Sequence, residues 1–189
     1  MRDKLWYDLN AIDKETKYIL AHSFVDERTL INCVAWLQQL KRTCYGQMLE
    51  RYLQERHKRV KERHLITFVS DKFATYRSAW SKLFSRVTKL TFGVPIGCKK
   101  HGLRYNNNPI ERYNQDIKDQ IHTKRHFGSG DGARAFLDLR RTIKNFVNPH
   151  QGLKGMTPAG RAGIDLALGR QKLLTLIAQR AKNTHHSRR

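Results

Sequence analysis

Two acidic residues stand where a carboxylate could take part in catalysis. Asp71 follows Leu65-Ile66-Thr67-Phe68-Val69, an apolar run typical of a buried strand. In open α/β sheets, functional groups gather at the carboxyl ends of strands. Glu111 falls in the first turn of a helix that Asn108-Pro109 is predicted to begin. Carboxylate oxygens are also the hard ligands that Mg²⁺ prefers.

Each acid also has a purely structural explanation. Asp71 could cap the helix that follows it, and Glu111 could complement the positive end of its own helix. Taken one at a time, these roles account for the residues as well as catalysis does. Taken together with the residues that flank them, the two acids favour catalysis.

The elements up to Asp71 are predicted from hydrophobic spacing. Leu5 to Ile12 and Tyr18 to Val25 indicate a β-hairpin around a polar turn. Apolar positions at helical spacing predict one helix from Thr29 to Leu40 and a second from about Gln47 to Arg63. The apolar run before Asp71 then predicts a strand that is buried on both faces.

The segment after Asp71 predicts a parallel crossover. Phe73, Tyr76, Trp80 and Phe84 fall at helical spacing, and Val87 to Val94 indicates another strand. A strand–helix–strand order implies parallel pairing, and therefore an α/β sheet.

The rest of the chain is predicted to be helical. The helix at Pro109 should bury Ile110, Tyr113 and Ile117. Further helices are predicted over Ala133–Phe146 and Ile164–Ala181, separated by a loop over Asn148–Gly163. Residues 1–181 are interpreted as one domain, and Lys182 to Arg189 as a basic, disordered tail.

The charge balance points to a polyanionic partner. The 189 residues carry 37 Lys and Arg against 16 Asp and Glu, a formal net charge of +21. Nucleic acid is the usual partner of so basic a domain. There is no targeting segment, no membrane-spanning apolar run and no disulfide framework among the three cysteines, so we expect a cytoplasmic protein.

Four segments carry a family resemblance, and they cover nearly the whole chain in order. They are Trp6-Tyr7-Asp8-Leu9-Asn10-Ala11-Ile12-Asp13, Val69-Ser70-Asp71-Lys72, Asn107-Asn108-Pro109-Ile110-Glu111-Arg112-Tyr113-Asn114, and Asn145-Phe146-Val147-Asn148-Pro149-His150 with the later Leu153-Lys154-Gly155 and Thr157-Pro158-Ala159. They resemble, respectively, the second strand, the second-acid segment, the third-acid segment and the post-catalytic signature of DDE-type transposases and retroviral-type integrases. Insertion-sequence transposases of bacteria and archaea are the most similar group. Asp71 and Glu111 lie 40 positions apart (111 − 71), a separation that this family shows.

The resemblance implies a ribonuclease-H-like mixed sheet flanked by helices. It also implies an enzyme of DNA transposition in which Asp71 and Glu111 are two of three acids that hold Mg²⁺ or Mn²⁺. The ions would activate water to expose a 3′ hydroxyl, and then that hydroxyl to attack target DNA. The implied partners are the transposon ends, the target DNA and further copies of the chain, in a prokaryotic nucleoid. The residues expected to contact DNA are Arg112, Lys118, Lys124, Arg125, His126, His150 and Lys154.

One part of the family pattern is missing. The family's first aspartate lies on a strand that precedes the strand matched here by Trp6–Ile12, and Asp8 is the only plausible substitute. We therefore expect the family fold without its first strand, DNA affinity, and poor or absent catalysis by this chain alone. Two alternatives stay open: a basic, non-catalytic nucleic-acid-binding α/β protein, and a ribonuclease-H-like nuclease.

Overall fold

A computed structural model of the chain describes residues 6–92, 108–123 and 127–186, without the side chains of residues 108 and 182–186. The chain forms two compact units. The first contains Met1–Ile12 and Leu20–His126, and the second contains Asp13–Ile19 and Phe127–Arg189. The architecture is mixed α/β, as predicted.

The predicted β-hairpin is confirmed. Strand β1 (Tyr7–Ile12) pairs with β2 (Ile19–Val25). Trp6 stacks on Phe24 with ring centroids 4.9 Å apart. The carboxylate of Asp8 lies 2.6 Å from His22 Nε2. The residue numbers of Trp6 and Phe24, and those of Asp8 and His22, both add to 30. Opposed residues of an antiparallel pair share one such sum.

The turn of this hairpin is closed by a short polar side chain. Asp13 Oδ1 accepts hydrogen bonds from the backbone N–H and the hydroxyl of Thr16, both at 2.7 Å. The backbone N–H of Asp13 donates to the carbonyl of Tyr18 at 2.9 Å. Aspartate commonly closes turns in this way.

Helix α1 runs without interruption over Leu30–Glu55, so the prediction of two separate helices was wrong. Gly46 lies inside this helix, where a glycine costs about 1 kcal/mol. Packing outweighs that cost, because Cys44, Tyr45 and the buried Met48 all contact the hydrophobic core. Beyond Glu55 the chain forms only a 3₁₀ turn, Val60–Glu62, where the second helix was expected to continue.

The predicted parallel crossover is confirmed. Strand β3 (Thr67–Ser70) leads through helix α2 (Ala74–Phe84) to strand β4 (Lys89–Phe92). The two strands pair in parallel, from Thr67 opposite Lys89 to Ser70 opposite Phe92. The residues of β3 are half-buried, so the prediction of a strand buried on both faces was wrong. A two-stranded sheet lacks the second covered face that a larger parallel sheet has.

The expected single mixed sheet is also not what the described residues form. They form two separate two-stranded sheets, β1–β2 and β3–β4. Except for Ile19, the first residue of β2, which belongs to the second unit, both sheets belong to the first unit. Its core is made by buried residues of β1, β2, α1 and α2, with Val87 just before β4: Leu9, Ala21, Cys33, Trp36, Leu37, Leu40, Met48, Ala79, Phe84 and Val87. Helix α3 (Asn108–Thr123) contacts β1.

The second unit is helical. Helix α4 (Gly130–Thr142) is followed by a π turn (Ile143–Val147), so the predicted helix over residues 133–146 ends differently from expectation. A 3₁₀ turn (Gln151–Leu153) and a short helix α5 (Pro158–Arg161) lie in the predicted loop. Among the described helices, none combines the length and the apolar character needed to cross a membrane.

The last helix begins later and ends later than predicted. Helix α6 covers Lys172–His186, so the backbone of the expected disordered tail is helical as far as His186. Residues 164–171 are not helical. Gly163, Ala167 and Gly169 have φ angles of 74°, 50° and 63°, and left-handed backbone is incompatible with a right-handed helix.

A buried carboxylate closes the connection from α1 to β3. Glu55 is 4% exposed and accepts hydrogen bonds from the His64 backbone N–H at 2.9 Å and from Lys58 Nζ at 3.0 Å. The His64 hydrogen bond contributes most to lowering the Glu55 pKa to about 2, followed by the Lys58 hydrogen bond. Burial opposes this shift, and the charges of Lys58 and Arg51 add to it. The carboxylate therefore stabilises the turn in its ionised form.

We expect Glu55→Gln to destabilise the protein near neutral pH and to have less effect in acid. A carboxyl whose folded pKa is lowered stabilises the fold fully above its unfolded pKa, and this stabilisation fades as pH falls towards the folded pKa. The difference in unfolding free energy between wild type and Glu55→Gln should therefore shrink between about pH 4.5 and pH 2. Urea unfolding across pH 7 to 2.5 measures it. Glu50→Gln, at an exposed position on α1, is the control. A difference that does not change with pH would contradict this role of Glu55.

Candidate active site

Asp71 lies directly after β3, at its carboxyl end, and is exposed. Its Oδ1 accepts a hydrogen bond from the Phe73 backbone N–H at 3.3 Å. Phe73 is the N-cap residue of α2 and has no side-chain cap of its own. The structural role weighed for Asp71, support of the following helix, is therefore present. It involves one carboxylate oxygen, and the side chain remains open to solvent.

Glu111 lies in the first turn of α3 and is exposed. At this position its charge complements the positive end of the helix dipole. Tyr113 and Ile117 are buried on the opposite side, as the spacing predicted, and Ile110 is half-buried. The helix thus presents Glu111 to solvent. Asn107, which begins the segment resembling the third-acid motif, lies outside the described residues.

The two acids belong to the same compact unit but to different elements: Asp71 follows β3, and Glu111 lies in the first turn of α3. Their exposed carboxylates are the donor type that suits Mg²⁺ or Mn²⁺. Within residues 6–92, 108–123 and 127–186, no three His, Cys, Asp or Glu side chains are grouped so that they could hold a metal ion. The carboxylates of Asp71 and Glu111 are therefore suitable donors for a divalent ion, but the described residues do not supply a complete set of ligands. A metal shared by Asp71 and Glu111 stays a prediction.

Asp8, the considered substitute for the first acid, has a partner inside the hairpin. Its Oδ1 lies 2.6 Å from His22 Nε2, and the two side chains are 20% and 3% exposed. The contact with the buried His22 ring holds this carboxylate within the hairpin. This arrangement gives Asp8 a structural role, which the sequence did not indicate because His22 carries no distinctive motif.

The residues expected to contact DNA fall into three groups. Arg112 and Lys118 are exposed on α3, in the first unit. His150 and Lys154 belong to the second unit. The remaining three lie outside the described residues: Lys124, Arg125 and His126.

A buried asparagine explains part of the segment that resembles the post-catalytic signature. Asn145 is 2% exposed. Its Oδ1 accepts from the Ile19 backbone N–H at 2.9 Å, and its Nδ2 donates to the Ile19 carbonyl at 3.1 Å. One amide side chain thus satisfies both backbone groups of a strand residue, as a neighbouring strand would. The π turn that contains Asn145 is closed by the Asn148 N–H, which donates to the Ile143 carbonyl at 2.9 Å.

The residues after Asn145 form a compact loop. His150 Nδ1 accepts from the Gly152 backbone N–H at 3.1 Å, and the His150 N–H donates to the Met156 carbonyl at 2.9 Å. Lys154 adopts a left-handed backbone with φ of 55°. Thr157 caps α5 by accepting from Gly160 N–H at 3.1 Å. The loop predicted over Asn148–Gly163 therefore contains a turn at His150, and one ring nitrogen of His150 helps to build it.

Comparison with known families addresses this same stretch of chain. Residues 93–158 match an integrase core domain. The match supports an integrase- or transposase-like catalytic core. It covers about a third of the chain, including Glu111 and the segment from Asn145 to Pro158, whereas Asp71 precedes it. A comparison with curated proteins gave no significant match.

An arginine beside Asp71 was not predicted from the sequence. The Arg28 guanidinium carbon lies 4.1 Å from the ring centroid of Phe73 and 4.8 Å from that of Tyr7. Burial is the main cause that raises the pKa of Tyr76, and a hydrogen bond and the charge of Arg28 partly offset it. The charge of Asp71 raises that pKa further, so the Tyr76 hydroxyl lies within the electrostatic reach of both residues.

We expect Asn145→Ala to lower the free energy of unfolding by about 2–4 kcal/mol, because two buried backbone groups of Ile19 lose their partner. Asn148→Ala, at an exposed position three residues later, should cost about 0.5 kcal/mol or less. Urea denaturation of the two variants makes the comparison. Equal stability of Asn145→Ala and wild type would show that the amide clamp contributes nothing.

Proposed function

We propose that this chain is the catalytic-core portion of a DDE-type insertion-sequence transposase with a ribonuclease-H-like fold. The observation that carries the proposal is the integrase core match over residues 93–158, which contains Glu111. The position of Asp71 at the carboxyl end of a parallel strand adds support, since catalytic groups collect at that edge of α/β sheets. The reaction would be cleavage and joining of DNA strands.

In this proposal Asp71 and Glu111 hold Mg²⁺ or Mn²⁺. A divalent ion at that place supplies Lewis-acid activation of a water or a 3′ hydroxyl. Arg112 and Lys118 are exposed and follow Glu111 on α3. They would position the DNA backbone. Lys124, Arg125, His126, His150 and Lys154 are proposed to extend this contact. The net charge of +21 supports DNA as the partner.

A third carboxylate is needed, and we propose that it lies on a strand outside the described residues. Among the described residues, sheets β1–β2 and β3–β4 are separate, whereas the mixed sheet of the family is continuous. Asp8 is a poor candidate for the third acid because it is paired with His22. The strand would come from a preceding segment or from another subunit of an oligomer. The assembly would act on DNA in the prokaryotic cytoplasm.

One rival function has an observation in its favour. The formal net charge of +21 equally suits a basic protein that binds nucleic acid without catalysing a reaction. The rival predicts that neither Asp71 nor Glu111 affects metal binding. Removing either charge should then only strengthen DNA binding slightly, through weaker repulsion of phosphates.

Metal binding separates the two functions. We expect Asp71→Asn and Glu111→Gln each to weaken Mn²⁺ binding by about 10-fold or more, because each removes one anionic ligand from a site with few ligands. Electron paramagnetic resonance titration with Mn²⁺ measures the free ion directly. Asp131→Asn, whose side chain is 96% exposed in the second unit, and Glu50→Gln are the matched controls. Unchanged Mn²⁺ affinity in both site variants would favour the binding protein.

Strand transfer tests the need for a third acid. These 189 residues alone, supplied with Mn²⁺ and pre-cleaved DNA ends, should join strands poorly or not at all. A gel assay with labelled oligonucleotides detects the joined product, with Glu111→Gln as the inactive control. Robust joining by the wild-type chain that Glu111→Gln abolishes would show that the described acids suffice, and would contradict the missing-ligand part of the proposal.

A further inference from the structure

Arg28 lies against two aromatic rings of the first unit. It lies between β2 and α1 in sequence, whereas Tyr7 begins β1 and Phe73 precedes α2. The guanidinium carbon is 4.1 Å from the Phe73 centroid and 4.8 Å from the Tyr7 centroid. Contacts with both rings restrict the rotation of a side chain that is otherwise flexible. An arginine ordered in this way loses less entropy when it binds a ligand.

A cleft opens at this arginine. Its volume is about 350 Å³, and its lining consists of Tyr7, Asp26, Glu27, Arg28, Thr29 and Phe73. Asp71 lies next to it, since its carboxylate accepts a hydrogen bond from Phe73 N–H at 3.3 Å. The Tyr76 ring packs against Phe73 with centroids 5.1 Å apart. The cleft therefore adjoins the proposed catalytic carboxylate within one compact unit.

We propose that Arg28 receives a phosphodiester of the DNA strand that passes Asp71, and so positions that strand. The inference rests on the proposed function, because Asp71 is the residue that would need the strand nearby. Arg28 donates one hydrogen bond to the Tyr76 hydroxyl. The other N–H groups of its guanidinium can donate to phosphate oxygens.

The two acids in the lining limit what this site can bind. Asp26 and Glu27 are exposed there and repel a free anion. A phosphate on a strand already held by other basic residues overcomes that repulsion more easily than a free phosphate ion. Arg28 accordingly fixes the register of bound DNA and supplies only part of the affinity, as phosphate contacts commonly do.

Salt-dependent DNA binding tests the inference. The probe is a fluorescein-labelled 20-base single strand and its duplex, followed by fluorescence anisotropy from 50 to 300 mM KCl. Arg28→Ala should weaken binding by about 5- to 10-fold at 0.1 M salt and reduce the salt slope by about 1. Arg28→Lys keeps the charge, so its salt slope should stay unchanged while affinity falls by about 2- to 3-fold.

Two further variants separate this role from general charge and from folding. Arg42→Ala removes an exposed arginine from α1 and should change affinity less than Arg28→Ala does. Phe73→Leu keeps every charge but removes one ring that orders Arg28, so affinity should fall by about 2- to 3-fold with an unchanged salt slope. Thermal unfolding of each variant by circular dichroism checks that the unit remains folded. If Arg28→Ala unfolds, Arg28→Lys and Phe73→Leu carry the test.

The outcomes separate this inference from the proposed function. Equal losses in Arg28→Ala and Arg42→Ala, or full affinity in Arg28→Lys, would overturn the role of Arg28 and leave a DNA-binding core. Loss of affinity in Phe73→Leu with an unchanged salt slope supports it. If the wild-type chain binds neither the single strand nor the duplex at 50 mM KCl, the proposed function is overturned as well.

Discussion

Parallel strands cannot be joined by a tight turn, and the pairing of β3 with β4 therefore dictates much of the first unit. Helix α2 supplies the crossover and buries Ala79 and Phe84, while Phe68 of β3 packs against Phe84 with ring centroids 5.0 Å apart. Because two strands alone have little stability, α1 and α2 must pack against one another to cover them. The carboxyl end of β3 is thereby fixed, and Asp71 emerges from it into solvent.

Side chains that bond to backbone groups hold the segments that lead to both proposed functional regions. Glu55 fixes the turn before β3 through the His64 N–H, and Asn145 fixes the hairpin residue Ile19. In each case a buried polar side chain has hydrogen-bond partners, which avoids the cost of burying it unpaired. A segment that resembles a catalytic signature thus owes part of its sequence to folding, and His150 shows the same mixture of roles.

The sequence predicted local elements well and tertiary contacts poorly. The change of hydrophobic period around Asp71 was enough to predict β3, α2 and their parallel partner. The continuous helix α1 was missed because its apolar positions were read as two separate runs, whereas packing around Met48 joins them in one helix. The Arg28 cluster joins positions 7, 28 and 73, and no spacing rule links residues so far apart. The family resemblance favoured a catalytic role for Asp71 and Glu111. From spacing alone, a structural role explains each of them as well as a catalytic one does.

The amide clamp of Asn145 has a consequence for the dynamics of the second unit. Ile19 is 2% exposed, and its backbone N–H is bonded to a side chain, not to a neighbouring strand. Exchange of that amide proton with solvent therefore requires the π turn to move away from Ile19. Local opening of this kind has its own free energy, distinct from that of global unfolding. The protection factor of a single amide would thus report how often the turn opens while the rest of the chain stays folded.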